Sequence, residues 1–197
     1  MKYLYSLLCI GLMMSTAWSQ DQAAGIDSIP QFAQKDRIGG SLGFGFLSGN
    51  AGNYHQAEPG ATLDFTVNYR PFDYHSVGIG IGSRLPYMFN NLIHMPVYLQ
   101  YKYWMIKKPY VKIGLNGGYG FAFKDEANRV MDARGGLMLN PFVGIILNQS
   151  EEWAWTFDIG LLYQKLYYRF GDVDIWGSEE NQHWRLYRFV FTTTIEI

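Results

Sequence analysis

Residues 61–70 read ATLDFTVNYR, and Ala61, Leu63, Phe65, Val67 and Tyr69 alternate without a break against Thr62, Asp64, Thr66, Asn68 and Arg70. Strict alternation marks a strand with one apolar and one polar face. A run of about nine to eleven such residues is also what one tilted strand needs to cross a bilayer. Seven further segments of similar length and pattern occur along the chain. The expected architecture is all-β: an eight-stranded antiparallel up-and-down transmembrane β-barrel.

The first segment runs from Arg37 to Leu47, with Ile38, Leu42, Phe44 and Phe46 on one parity and Gly39, Ser41, Gly43 and Gly45 on the other. After the Ala61 strand, a short turn leads into His75–Arg84, where Val77, Ile79 and Ile81 oppose Gly78, Gly80 and Gly82. Met95 to Tyr103 and Val111 to Phe121 follow, joined by a short turn around Lys107, Lys108 and Pro109. The sixth strand carries Leu137, Leu139, Val143, Ile145 and Leu147 on its apolar face. Pro141 within it has no N–H for the ladder, which predicts a bulge or a late strand start there. Trp153–Phe170 and a last strand through Tyr187, Phe189, Phe191, Ile195 and Ile197 complete the set.

Between these strands the connections alternate long and short. The long ones are SGNAGNYHQAEPG (48–60), LPYMFNNLI (85–93), KDEANRVMDARG (124–135) and GDVDIWGSEENQ (171–182). Bacterial outer-membrane barrels have an even strand count, short periplasmic turns and long outer loops. Eight strands with both termini on the short-turn side satisfy that rule, and no linker divides residues 36–197 into two domains.

Alternation alone does not say which face points outward. A soluble barrel of the lipocalin type would cover its exterior with Lys and Glu and keep the apolar face inside. Here the polar face is mostly Gly, Thr, Ser and Asn with sparse charges of both signs, which suits the tight interior of an eight-stranded barrel. Tyr69, Tyr103, Trp153 and Trp155 fall near the short-turn ends of apolar faces, and Phe46, Phe121, Tyr163 and Tyr187 near the other ends. Two aromatic belts mark two membrane interfaces.

The amino terminus has Lys2, an apolar run from Leu4 to Met14, and small residues Ala17 and Ser19 at the positions of a signal peptidase site, so residues 1–19 read as a cleaved secretory signal. The run is too short for a spanning helix of ~20 residues. Residues 20–35 read as a periplasmic lead. Cys9 is the single cysteine of the chain and lies inside the signal, preceded by Leu8. The mature chain is therefore expected to hold no thiol, disulfide or thiol-bound metal. Without Lys2, 15 of the 16 basic residues remain against 17 acidic ones. That balance gives no basic field for nucleic acid.

Met95–Phe121, MPVYLQYKYWMIKKPYVKIGLNGGYGF, resembles the fourth and fifth strands of small Bacteroidota-type outer-membrane β-barrel proteins, which share the OmpX or OmpA-domain architecture. The resemblance in layout covers the mature chain, from about Gln20 onward, and implies assembly by the outer-membrane insertion machinery. It carries over no catalytic residues. Such chains usually end on an aromatic residue, and this one ends on Ile197.

Arg37, Asp64, Arg70, Lys102, Lys112, Asp158, Arg188 and Glu196 share the inward parity and are expected to pair across the lumen, since an unpaired buried charge is costly. A selective ion path, as in a narrow porin-like channel, is the alternative. On the outward parity, Lys165, Arg169, His183 and Arg185 cluster at the outer rim, at the height of lipid headgroups. They are the candidate contact for lipopolysaccharide, because Arg holds phosphate through paired hydrogen bonds.

His55, His94 and His183 lie at the long-loop end without metal-ligand spacing and read as exposed rim histidines. Asp172, Asp174, Glu179 and Glu180 lack calcium-loop spacing and read as a solvated acidic loop. No cofactor is implied. A lipid A-modifying hydrolase or acyltransferase needs a Ser and a His within hydrogen-bond reach on the lipid face. His75 and Ser76 are adjacent but have opposite parity. The expected role is a barrel held in outer-membrane lipid, offering four outer loops to a surface ligand or partner protein.

Overall fold

The computed structural model describes residues 37–50, 59–72, 74–85, 93–105, 110–124, 129–171 and 180–197. The signal, the periplasmic lead, His55, Asp172, Asp174 and Glu179 lie outside the described residues, as do the central parts of all four long loops. The strands are β1 (Ile38–Asn50), β2 (Gly60–Phe72), β3 (His75–Leu85), β4 (His94–Trp104), β5 (Val111–Ala122), β6 (Val130–Arg134), β7 (Gly136–Gln149), β8 (Ala154–Phe170) and β9 (Glu180–Glu196). All pair antiparallel in one sheet, which closes because β9 pairs with both β1 and β8.

The nine segments make eight staves. β6 and β7 lie on the same side of β8, β6 along Tyr167–Phe170 and β7 along Ala154–Gln164, so together they form one wall strand interrupted at Gly135. At that break a Cβ on Gly135 would run into the Gly120 carbonyl and sit 2.6 Å from the Tyr119 ring. Only glycine allows so close an approach of backbones. Residues 130–134, expected in a loop, therefore extend the wall instead. β8 and β9 are 17 residues each, and the outer end of β8 gains a ladder partner in β6.

Pro141 corrects a second expectation. β7 starts at Gly136, before the proline, and the β7–β8 register is the same at Leu139↔Tyr163 as at Phe142↔Gly160. Pro141 sits opposite Leu115, and the irregularity falls between Ile146 and Asn148 instead.

Barrel geometry follows from the register. The partner row runs from Ala122 through His94, Arg84, Thr62, Gly45, Thr192, Asp158 and Gly144 to Lys112. It returns to β5 ten residues from its start. With a rise of about 3.3 Å and a strand spacing of about 4.8 Å, eight staves and a shear of ten give a tilt of about 40° and a radius of about 8 Å. Alternate side chains point into a space of that width, and the others point out.

The outward face is an apolar belt. Phe65 (50%), Ile79 (64%), Leu99 (67%) and Phe189 (54%) are exposed on four different strands, with exposed Leu, Ile, Val and Phe all around them. Water-soluble proteins rarely expose apolar patches beyond a few hundred Å². Tyr69 and Trp155 border the belt at the short-turn end and Phe46, Phe121 and Tyr187 at the other. Gly78, Gly80 and Gly82 of β3 make room on the inner face, where Cβ atoms would strike Asn68, the Tyr98 ring and Asp64. Gly80→Ala drives a methyl into that ring; overpacking of this kind costs about 1–3 kcal/mol, expected as a lower urea midpoint for unfolding from lipid vesicles.

Candidate functional site

Two places gather functional side chains: the lumen and the outer rim. In the lower lumen, alternation brings Lys102 of β4, Lys112 of β5, Asp158 of β8 and Glu196 of β9 to the inner face. The barrel tilt brings them together although their strands are not all neighbours. Lys102 Nζ lies 2.9 Å from Glu196 Oε2, and Lys112 Nζ lies 2.6 Å from Glu196 Oε1 and 3.0 Å from Asp158 Oδ1. Lys112 also donates to Thr156 Oγ1 at 2.8 Å, and Thr194 Oγ1 donates to Asp158 Oδ2 at 3.2 Å. Beneath, the buried Trp104 ring lies 5.3 Å from Lys112 Nζ. Two ammonium and two carboxylate groups balance there, and Gly144 leaves them space.

These four side chains also line a polar cavity of about 40 Å³, together with Asp64, Tyr98, Gln100, Asn116 and Asn140, among others. That volume suits a few waters. Asp64 accepts hydrogen bonds from Thr62 Oγ1 at 2.7 Å and Tyr98 Oη at 3.1 Å, and Gln100 Nε2 donates to Asn116 Oδ1 at 2.9 Å. Farther out, Leu47, Tyr98, Met138, Leu162 and Val190 form one buried cluster, and Val130, Leu166, Tyr168, Trp184 and Leu186 form another. The sequence pattern pointed to a lumen of small residues; its outer half instead holds large apolar and aromatic side chains from β1, β4, β6, β7, β8 and β9.

Of the charged residues picked out by parity, Lys102, Lys112, Asp158 and Glu196 meet in one network. Arg70 and Arg188 are buried on the inner face, and Asp64 is half-buried. Arg37 is exposed, at the edge of the barrel, where its carbonyl accepts the Arg70 backbone N–H at 2.7 Å. Sequence reasoning passed over Arg84. It is 1% exposed, and its Nη2 lies 3.7 Å from Asp64 Oδ1. Its signal was available, since it continues the inward parity of Gly78, Gly80 and Gly82.

His94 is a correction: expected at the exposed rim, it is fully buried, opposite Arg84 across the β3–β4 ladder and hydrogen-bonded to the Tyr168 hydroxyl. Its parity opposite to Met95 and Val97 turns it inward. His183 is exposed on the outer face, so these two histidines point to opposite sides of the wall. Ser76 is buried in the lumen, while His75 bonds the Tyr101 hydroxyl through Nδ1 at 2.7 Å on the other face.

At the outer rim, Lys165 and Arg185 are direct partners across β8–β9, and the next outward-facing rows are Tyr167↔His183 and Arg169↔Asn181. β6 adds Arg134 opposite Tyr167 and Asp132 opposite Arg169. The Tyr163 and Tyr187 rings pack 5.1 Å apart one row below Lys165, where the belt ends.

Among solved structures, the outer membrane protein OprG from Pseudomonas aeruginosa matches with a TM-score of 0.61 at 9% identity, over 87% of this chain and 98% of OprG. Neisserial surface protein A, NspA, matches with a TM-score of 0.50 at 10% identity, over 82% of this chain and 97% of NspA. This chain has the fold of small outer-membrane barrels. At such identities the likeness is one of fold alone. No protein-family model matches the chain, and no curated protein matches it significantly.

Proposed function

We propose that this chain is an integral outer-membrane protein whose lumen is closed to ions and whose outer loops present a surface for a ligand or partner protein. The observation that carries this is the combination of an exposed apolar belt with a charge-balanced inner network in which Lys102, Lys112 and Glu196 are each at most 2% exposed. A wall that is apolar outside and closed on itself is what hydrocarbon permits, because a closed barrel leaves no unpaired edge in lipid. Inside, ions would have to displace paired charges and pass two apolar clusters. Desolvating an ion at such constrictions is expensive.

The barrel then acts as a rigid mount. Its connecting segments at the outer end are long and carry Tyr, Trp, Phe, Asn and charges, a mix suited to recognition. Recording single channels from refolded protein in planar bilayers tests the closed lumen: a flat baseline is expected, and stable large openings would overturn it. Exchanging the four outer loops in turn for short Gly-Ser turns tests the mount. Loss of a cell-surface binding or envelope phenotype is expected in at least one exchange, and unchanged behaviour in all four would place the function in the barrel wall.

A further inference from the structure

The outer end of the β6–β8–β9 wall carries cations on the lipid side that the closed barrel does not use. Lys165 and Arg185 face each other directly across the β8–β9 ladder, both exposed, and neither makes an ion pair among the described residues. Directly opposed like charges on a sheet are unfavourable, with Cβ atoms only about 4.5–5.5 Å apart. An anion lying between them reverses the sign of that interaction.

One row farther out, Tyr167 packs against His183 with ring centroids 5.0 Å apart. On its other side the Arg134 guanidinium sits 5.5 Å from the Tyr167 ring centroid. The Arg134 side chain is 73% exposed and holds Asp132 through Nη2 at 3.3 Å. The rest of its five-donor fork remains for an outside acceptor. Arg169 stands opposite Asp132 across β6–β8 and so has an acidic neighbour in its own row.

We propose that Arg134, Lys165 and Arg185, with His183 at their edge, bind the lipid A phosphates of lipopolysaccharide in the outer leaflet. This rests on the outer-membrane placement proposed above. Height selects the ligand: the cations begin one row above the Tyr163–Tyr187 pair that ends the apolar belt, where the phosphates of an outer-leaflet lipid lie. Arg134 and Arg185 supply planar forks for phosphate oxygens and Lys165 a point charge. Tyr167 offers a ring face between them, suited to a sugar backbone.

The test compares wild type with the triple variant R134Q/K165Q/R185Q, both isolated from outer membranes in mild detergent. Lipopolysaccharide is measured per barrel, and folding is scored by heat-modifiable gel mobility. The variant is expected to fold and to retain several-fold less lipopolysaccharide. In parallel, refolded proteins are titrated with vesicles containing purified lipopolysaccharide, with phosphatidylglycerol vesicles and with inorganic phosphate. The mutations are expected to weaken only the lipopolysaccharide arm, by about tenfold or more, since three charge-assisted contacts are lost.

Wild-type lipopolysaccharide retention by a folded, membrane-inserted variant overturns the site. So does an equal effect of the mutations on phosphatidylglycerol or on free phosphate. A wild-type protein that never inserts into membranes instead overturns the outer-membrane placement, so the two failures are distinguishable. If the triple variant fails to fold, K165Q alone carries the test, and unchanged retention in it counts against the site.

Discussion

Glu196→Gln is expected to destabilise the folded barrel by about 3–5 kcal/mol, the cost of removing one partner from a buried ion pair. The carboxylate lies 2.9 Å from Lys102 Nζ and 2.6 Å from Lys112 Nζ, and all three side chains are within 3% of full burial. Asp158 stays beside Lys112 at 3.0 Å, so that lysine keeps a partner. Lys102 has no second carboxylate among the described residues at ion-pair distance. Most of the loss is therefore Lys102's, held without its counter-charge.

Removing that charge as well should recover part of the stability. Lys102→Met combined with Glu196→Gln is expected to be more stable than the sum of the two single effects, by about 0.5–3 kcal/mol, as befits residues in contact. Reversible urea unfolding from lipid vesicles, followed by tryptophan fluorescence, measures both. A loss below about 1 kcal/mol for Glu196→Gln would mean that the lysines find water in the lumen, because solvated pairs are worth only that much.

The sidedness of the wall was legible in the sequence because a period of two leaves no freedom once one face is apolar. Leu63, Phe65 and Val67 had to share a side, and Asp64 and Thr66 the other. The same rule reached Lys102, Lys112, Asp158 and Glu196 one by one. Applied to Arg84 and His94 it turns both inward, since Arg84 continues the parity of Gly78, Gly80 and Gly82 and His94 has the parity opposite to Met95 and Val97.

Which inward charges meet was not legible. That depends on the stagger between strands, and a shear of ten puts Lys112 of β5 beside Glu196 of β9 with no local signature in either segment. Val130–Arg134 was hidden for a different reason: Asp132 and Arg134 break the apolar alternation on the outward face. They stand beyond the apolar belt, where the outward face need not be apolar. Pro141 misled because lack of an N–H was read as a bulge, whereas β7 keeps its register across the proline and takes its irregularity at Leu147. The outer loops carry no periodic pattern, so the surface proposed to do the recognising is where alternation has nothing to say.

Leu99→Arg separates a lipid-facing wall from a water-facing one. Leu99 is the most exposed position of β4, five residues from His94 at one end and from Trp104 at the other, which puts it at mid-height of the belt. Its ladder partners are Ile79 on one side and Gly117 on the other, so no carboxylate among its described ladder neighbours offsets a new cation. An outward Arg at the bilayer midplane costs about 2–4 kcal/mol, and one near the interface about 0–1 kcal/mol. Leu137 supplies the interface control: it is exposed, second in β7 at its outer end, and opposite Tyr119 of the belt. Unfolding from vesicles should therefore show a loss of about 2–4 kcal/mol for Leu99→Arg and about 0–1 kcal/mol for Leu137→Arg. If water surrounded the wall, both would be exposed-surface replacements within about 0.5 kcal/mol of wild type. Equal effects at the two heights would therefore remove the bilayer from the explanation of this barrel's exterior, and a depth-dependent pair would require it.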